Sequence, residues 1–209
     1  MKQNILAVGA HPDDIELGCG GTIAKHLELK DSIYVVIMTN GENGNHPPDR
    51  SECLRSLKKM GIKKENIIFG NFPDGDLSDD NGTVSFIENQ IKKFNITKVY
   101  THNPNDRHQD HRNCSNAVSS AARNIPEILF FEGPSTRISF EPHYFVEISE
   151  QNLKKKIESL KAYKTQLAKN SILNLEWVKN LAKVNGMRCN SKYSEAFEIN
   201  HILKEGKNV

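Results

Sequence analysis

The reading of this chain turns on Ala10-His11-Pro12-Asp13-Asp14-Ile15-Glu16-Leu17-Gly18-Cys19-Gly20-Gly21-Thr22. Before it runs Asn4-Ile5-Leu6-Ala7-Val8-Gly9, a short apolar segment that predicts a buried strand. After it runs Ile23-Ala24-Lys25-His26-Leu27-Glu28-Leu29, which predicts a helix. The polar cluster therefore falls where a strand hands over to a helix. In open α/β sheets that is the ligand-binding edge, at the carboxyl ends of the strands. Pro12 fixes its own φ and restricts His11 to an extended conformation.

His11 and Asp14 are three apart, so a tight turn can aim both at one point. An imidazole and a carboxylate, with one ligand from elsewhere, make a three-ligand Zn²⁺ site that leaves a position for water, the pattern of catalytic zinc. A divalent ion brings the pKa of its water to roughly 7. Asp13 cannot easily share the direction of Asp14, which makes it the natural general base for that water. The plainer reading is that Asp13 or Asp14 merely caps the next helix and His11 is incidental.

A second cluster weighs against the plainer reading. Lys98-Val99-Tyr100-Thr101 predicts another strand, and Asn113 to Arg123 another helix. Between them lies His102-Asn103-Pro104-Asn105-Asp106-Arg107-His108-Gln109-Asp110-His111-Arg112. His108 and His111 are three apart, one helical turn on one face. One of them can be the third ligand. The other can donate to a developing oxyanion or to a leaving amine. Asp110 can orient one of these imidazoles. Arg107 can hold a hydroxyl-rich or anionic part of a substrate, or pair with Asp106 or Asp110.

The segments AHPDDIELGCGGT, TNGE, NDRHQDHR and YSEAF together resemble the PIG-L/LmbE family of metal-dependent de-N-acetylases, over nearly the whole chain. The resemblance implies that His11, Asp14 and His111 bind zinc and that Asp13 is the general base. It also implies that His108 stabilises the tetrahedral intermediate, with Asp110 beside it. It places a substrate-contacting arginine near Arg50, and it puts Glu195 of the late motif at the pocket border or in support of the metal site. The implied substrate is an N-acetylated amino sugar or its conjugate. Two histidines and a carboxylate also suit Fe²⁺ or another divalent ion.

The remaining sequence fits one domain over residues 1–209. Runs at 32–38, 66–69, 127–131 and 143–148 predict further strands, the last an edge strand. Helices are expected from Asp49, over 84–94, over 150–169 and around Trp177. The alternation predicts an α/β fold: a Rossmann-like three-layer domain with a mostly parallel sheet and an irregular, helical C-terminal third. No apolar run is long enough to span a bilayer or to form a signal-peptide core, so a cytoplasmic location is expected. The four cysteines show no CxxC spacing and are expected to be reduced thiols. Residues 151–209 carry 12 basic and 5 acidic side chains, against 16 and 21 in the rest. Lysines interleaved with leucines at helical spacing make that a solvated helical face, and no nucleic-acid partner is expected. A homo-oligomer is left open.

Two rival functions are weighed. A two-metal phosphoesterase would need a second set of carboxylates, for which only Asp74 and Asp76 are at hand. A nucleotide binder would use Gly18-Cys19-Gly20-Gly21, but that spacing is not GxGxxG.

Overall fold

Seven strands, most of them short runs rich in apolar residues, pair into one sheet in the computed structural model, which describes residues 2–43, 50–167 and 173–203. The strands are β1 (Asn4–Gly9), β2 (Ser32–Thr39), β3 (Ile67–Phe72), β4 (Lys98–His102), β5 (Glu127–Phe131), β6 (Tyr144–Glu147) and β7 (Ser194–Ile202). Their order is β3-β2-β1-β4-β5-β7-β6. The first five are parallel, while β7 runs antiparallel to both β5 and β6. The expected α/β class, mostly parallel sheet and edge position of residues 143–148 all hold. The C-terminal third carries helices over Glu150–Leu160, Lys164–Leu167 and Leu175–Arg188, as expected. It supplies β7, a nine-residue strand inside the sheet. Glu195, Glu198, Asn200 and His201 hide that strand from any hydropathy reading.

Helices cover both faces of the sheet: α1 (Asp14–Glu28), α2 (Arg50–Met60), α3 (Asn81–Phe94), α4 (Gln109–Ala121), α5 (Glu150–Leu160), α6 (Lys164–Leu167) and α7 (Leu175–Arg188). Because successive strand residues point to opposite faces, the central strands feed two cores. Ile5, Ala7, Ile33, Val35, Ile37, Tyr100, Leu129 and Phe131 face one, together with Ile15 and Ile23 of α1 and Leu153 and Leu160 of α5. Leu6, Val8, Val36, Met38, Val99, Ile128 and Phe130 face the other, together with Ile87 of α3 and Val118 of α4. Strands buried on both faces read as continuous apolar runs, which is why they were visible in the sequence.

Helix boundaries differ from expectation in an informative way. α1 begins at Asp14 and α4 at Gln109, well before the predicted starts at 23 and 113. The polar motifs therefore occupy first helical turns rather than loops. The helix expected over 150–169 stops at Leu160 and resumes briefly as α6, with residues 168 and 169 outside the described residues. Asp49 also lies outside them. No helix among the described residues is long and apolar enough to cross a membrane.

β1 and β4 are neighbours, yet the chain leaves β1 towards β2 and leaves β4 towards β5. That reversal makes their carboxyl ends the switch point of the sheet, where a crevice opens.

Candidate metal centre

The two polar motifs meet at that crevice. Ala10 N–H donates to His102 Nε2 at 3.0 Å, which ties the end of β1 to the end of β4. Beyond this tie the chain bends into α1. His11 N–H donates to Asp14 Oδ2 at 2.6 Å, closing a local turn. Asp13 sits at the N-cap with φ 88°, a left-handed conformation costly for a residue with a Cβ. Its side chain makes no capping bond. The capping alternative for Asp13 therefore fails: its carboxylate stands at the start of α1 without capping it.

On the other side His108 is the N-cap of α4, and its Nδ1 accepts from Asp110 N–H at 3.2 Å. His111 follows one turn later on the same face. The rings gather closely. His11 meets His108 edge-on at 4.7 Å between centroids, and His108 stacks on His111 at 4.7 Å.

Among the described residues, three sets have donor atoms that all lie within 4.8 Å of one another: His11, His108 and His111; Asp14, His102 and His111; and His11, Asp74 and Asp110. His11 and His111 each belong to two of the sets. Their facing nitrogens, His11 Nδ1 and His111 Nε2, are 3.1 Å apart. Each of those nitrogens lies 3.4 Å from an oxygen of Asp14. Tetrahedral bonds of about 2.0–2.1 Å imply ligand–ligand edges of about 3.3–3.4 Å. His11 Nδ1 pairs with Asp14 Oδ2 and His111 Nε2 with Asp14 Oδ1, so all three side chains come within reach of one ion at close to these separations.

Charge supports the same reading. Burial works against a proton on His11, but hydrogen bonds to Asp110, Asp14 and Asp74 override it and push its pKa up to about 12. Without an ion, a proton fills the well those carboxylates make. Burial would raise Asp14, yet the facing imidazoles of His111 and His102 hold it well below the usual carboxylate range. Asp13 shifts the other way: burial first, then the charges of Asp14 and Glu16, push it well above that range. Two adjacent carboxylates are thus driven apart in proton affinity, as an ion ligand and a proton acceptor require. His108 is lowered by burial and by the neighbouring His11 and His111, which favours the neutral imidazole.

Asp110 was expected to orient His108 or His111, but it faces His11. Its Oδ2 is 3.2 Å from His11 Nε2 and accepts from Gly75 N–H at 2.7 Å, and its Oδ1 accepts from Leu77 N–H at 3.3 Å. The loop after β3 reaches across the sheet, so the carboxylate is fixed from that side. The partners of His111 are instead Ser135 Oγ at 3.1 Å and the buried Asp106 at 3.4 Å.

None of the three expected substrate contacts belongs to these clustered donor groups. The Arg50 guanidinium stacks on Phe69 at 3.8 Å, and its Nη1 is 3.4 Å from Asn71 Oδ1, on the β3 edge. Arg107 pairs with neither Asp106 nor Asp110. It donates to the Ser135 and Pro134 carbonyls, each at 3.2 Å, and pins the loop after β5 against the site. Glu195 is buried, with both carboxylate oxygens engaged by α1 and Lys156, so it does not face substrate.

Three further residues, His102, Asp106 and Asp74, reach the site without a motif that assigns them to it, and Ser135 comes from the 133–137 loop, whose sequence is that of a loop able to border the site. His102 stacks on His111 at 3.9 Å with its Nε2 3.0 Å from Asp14 Oδ2. Its place as the last residue of β4 was the one available signal. Asp74 Oδ1 is 3.0 Å from His11 Nε2, and its pKa is lowered to about 2, chiefly by that bond. Of the two carboxylates a two-metal phosphoesterase would draw on, Asp74 alone reaches the cluster; Asp76 is exposed outside it. The nucleotide rival loses its glycines. A Cβ on Gly18 would collide with the Phe131 ring, and one on Gly21 would lie 2.6 Å from Ile148. Those glycines face core side chains rather than a phosphate.

Comparison with known proteins agrees with the geometry. The family profile described as PIG-L, GlcNAc-PI de-N-acetylase, matches residues 6–122. The chain is 40% identical over 172 residues to the uncharacterized deacetylase YaiS of Escherichia coli K12, covering 78% of this chain and 92% of that protein. It is 25% identical over 190 residues to the diacetylchitobiose deacetylase of Thermococcus kodakarensis, covering 78% and 70%. Among solved structures, the conserved protein TT1542 of Thermus thermophilus superposes with a TM-score of 0.84 at 24% identity, over 98% of this chain and 97% of that one, a likeness of fold. The chain belongs to the PIG-L family of de-N-acetylases, hydrolases of an amide bond.

Proposed function

We propose that this protein removes the acetyl group from an N-acetylated amino sugar or its conjugate, with Zn²⁺ held by His11, Asp14 and His111. The reading rests on one observation: at the switch point of the sheet His11 Nδ1 and His111 Nε2 face each other at 3.1 Å, and each lies 3.4 Å from one of the two Asp14 carboxylate oxygens. When bound there, a divalent ion supplies a polarised acyl carbonyl and an acidified water. Asp13, raised in proton affinity beside that point, takes the proton of the attacking water. His108 accepts from Asp110 N–H through Nδ1, so its neutral ring carries the proton on Nε2. That N–H donates to the acyl oxygen as charge develops there. Asp13 then passes its proton to the amine nitrogen as the C–N bond breaks. Asp110 and Asp74 hold the far nitrogen of His11, and Asp106 and Ser135 hold that of His111, which fixes both rings.

The amino sugar is supported by the relative named for diacetylchitobiose. The test combines elemental analysis of the purified protein with a screen of N-acetylamino sugars for released acetate. About one tightly held divalent ion per chain is expected, with acetate release slowed by about 10²–10⁴-fold in Asp13→Asn. A chain that neither holds nor takes up Zn²⁺ or Fe²⁺ sinks the reading. An ion-loaded chain that hydrolyses only non-sugar acyl amides removes the sugar and keeps the chemistry.

A further inference from the structure

α1 is two helices in one. Cys19, with φ −139° and ψ 19°, is non-helical in its interior. In an unbroken helix Gly21 N–H would donate to Leu17 C=O and Thr22 N–H to Gly18 C=O. Here Gly21 N–H donates to Glu195 Oε1 at 2.9 Å and Thr22 N–H to Glu195 Oε2 at 2.6 Å. Leu17 C=O accepts from Lys156 Nζ at 2.8 Å, and Lys156 Nζ donates to Glu195 Oε1 at 2.6 Å. A buried ammonium thus stands in for the missing N–H, and a buried carboxylate for the missing C=O. The signs suit the two new helix ends: cation at the C-terminus of the first half, anion at the N-terminus of the second.

We propose that Lys156 and Glu195 are positioning residues for the metal centre: their ion pair holds the break in α1 open and so fixes where Asp13 and Asp14 point. The proposal rests on the assignment of Asp14 as a ligand. A buried ion pair contributes little net stability, because desolvating both charges offsets their attraction. A continuous helix would satisfy the same backbone groups without any charge. What the pair adds is geometry. Cys19 lies about 7.5 Å along the helix axis from Asp14, so a change of 15° at the break moves Asp14 by roughly 2 Å. A misplacement of about 1 Å in a reacting site costs on the order of 10²-fold. The site depends on separations of 3.1–3.4 Å. The small residues of the motif serve the same device: a Cβ on Gly21 would lie 3.1 Å from Glu195 Oε1 and push the carboxylate off the helix end.

The test is the double variant K156M/E195Q, which removes both charges together. Its crystal structure is expected to show α1 running continuously through Cys19 with Asp14 displaced. Zn²⁺ affinity, by competition with a chromophoric chelator, is expected to fall at least tenfold, and kcat/KM about 10²-fold. A folded double variant with Asp14 within about 0.5 Å of its native place and native Zn²⁺ affinity overturns the proposal. If the double variant does not fold, E195Q is read in the same way. Its amide turns a donor towards Gly21 or Thr22 N–H, so a smaller shift of the same sign is expected, and native values again overturn the proposal. A wild-type chain that binds no Zn²⁺ counts against the metal assignment, and the position of Asp14 in the variant crystal still decides this one.

Discussion

Both edges of the sheet hold a half-buried histidine against carboxylates, but the two are matched differently. At the amino edge, His26 Nδ1 meets Asp31 Oδ2 at 2.7 Å and His26 Nε2 meets the Tyr100 hydroxyl at 2.9 Å. The other Asp31 oxygen accepts from Gln3 N–H, and Lys98 pairs with Glu127 at 2.6 Å. Each nitrogen of His26 has one partner, with one carboxylate to one imidazole. Burial outweighs Asp31, so the pKa of His26 is lowered and the ring is neutral. At the carboxyl edge three carboxylates crowd His11 and drive it the opposite way. A surplus of carboxylates around one imidazole is an arrangement awaiting a cation, while one-to-one matching is a finished structural network.

The largest expected effect separates the two edges directly. His111→Ala should remove most of the bound metal, a greater loss than the roughly 10–100-fold that follows removal of an outer-shell partner, and acetate release should vanish with it. His26→Gln should leave metal content and activity intact. Equal metal loss in both variants would end the comparison. Asp13→Asn comes next: kcat should fall by about 10²–10⁴-fold with the metal retained, because only the proton acceptor is gone. Metal analysis of the same sample tells this loss of a base from loss of a ligand.

The proton on His11 sets a third expectation. With its metal-free pKa near 12, His11 is protonated at neutral pH and must release that proton when the ion binds. Apparent Zn²⁺ affinity should rise with pH, about tenfold per unit for one proton. Chelator competition at pH 6, 7 and 8 measures the slope. A flat profile would mean that the carboxylates do not hold a proton there.

The smallest effect belongs to the amino edge. Losing the His26 bonds should cost about 1–2 kcal/mol of stability. The sign with pH follows from the lowered pKa. Below the ordinary histidine value of 6.5 the unfolded chain takes up a proton that the folded chain refuses. The stabilisation by His26 is therefore full above pH 6.5 and is lost as pH falls towards the depressed folded value. Urea midpoints of wild type and His26→Gln should converge on acidification. Divergence would reverse the assignment of His26 as the neutral partner.

Much of this was legible in the chain itself. The doubly buried strands announce themselves as apolar runs. His11, Asp13 and Asp14, with His108 and His111, are close in sequence because each group shares one strand-to-helix turn. The sequence alone determined these local arrangements, since a turn and the first turn of a helix are fixed by neighbouring residues. Tertiary structure decided what depends on contacts between distant segments. It paired Asp110 with His11 rather than with its own neighbours, because the loop after β3 supplies the N–H groups that turn it. It brought Asp74 and Ser135 in from other strand ends, and it took Glu195 out of the pocket into the break of α1. A polar strand such as β7 and a buried Lys156–Glu195 pair leave no local pattern, because their partners lie far along the chain and only packing brings them together.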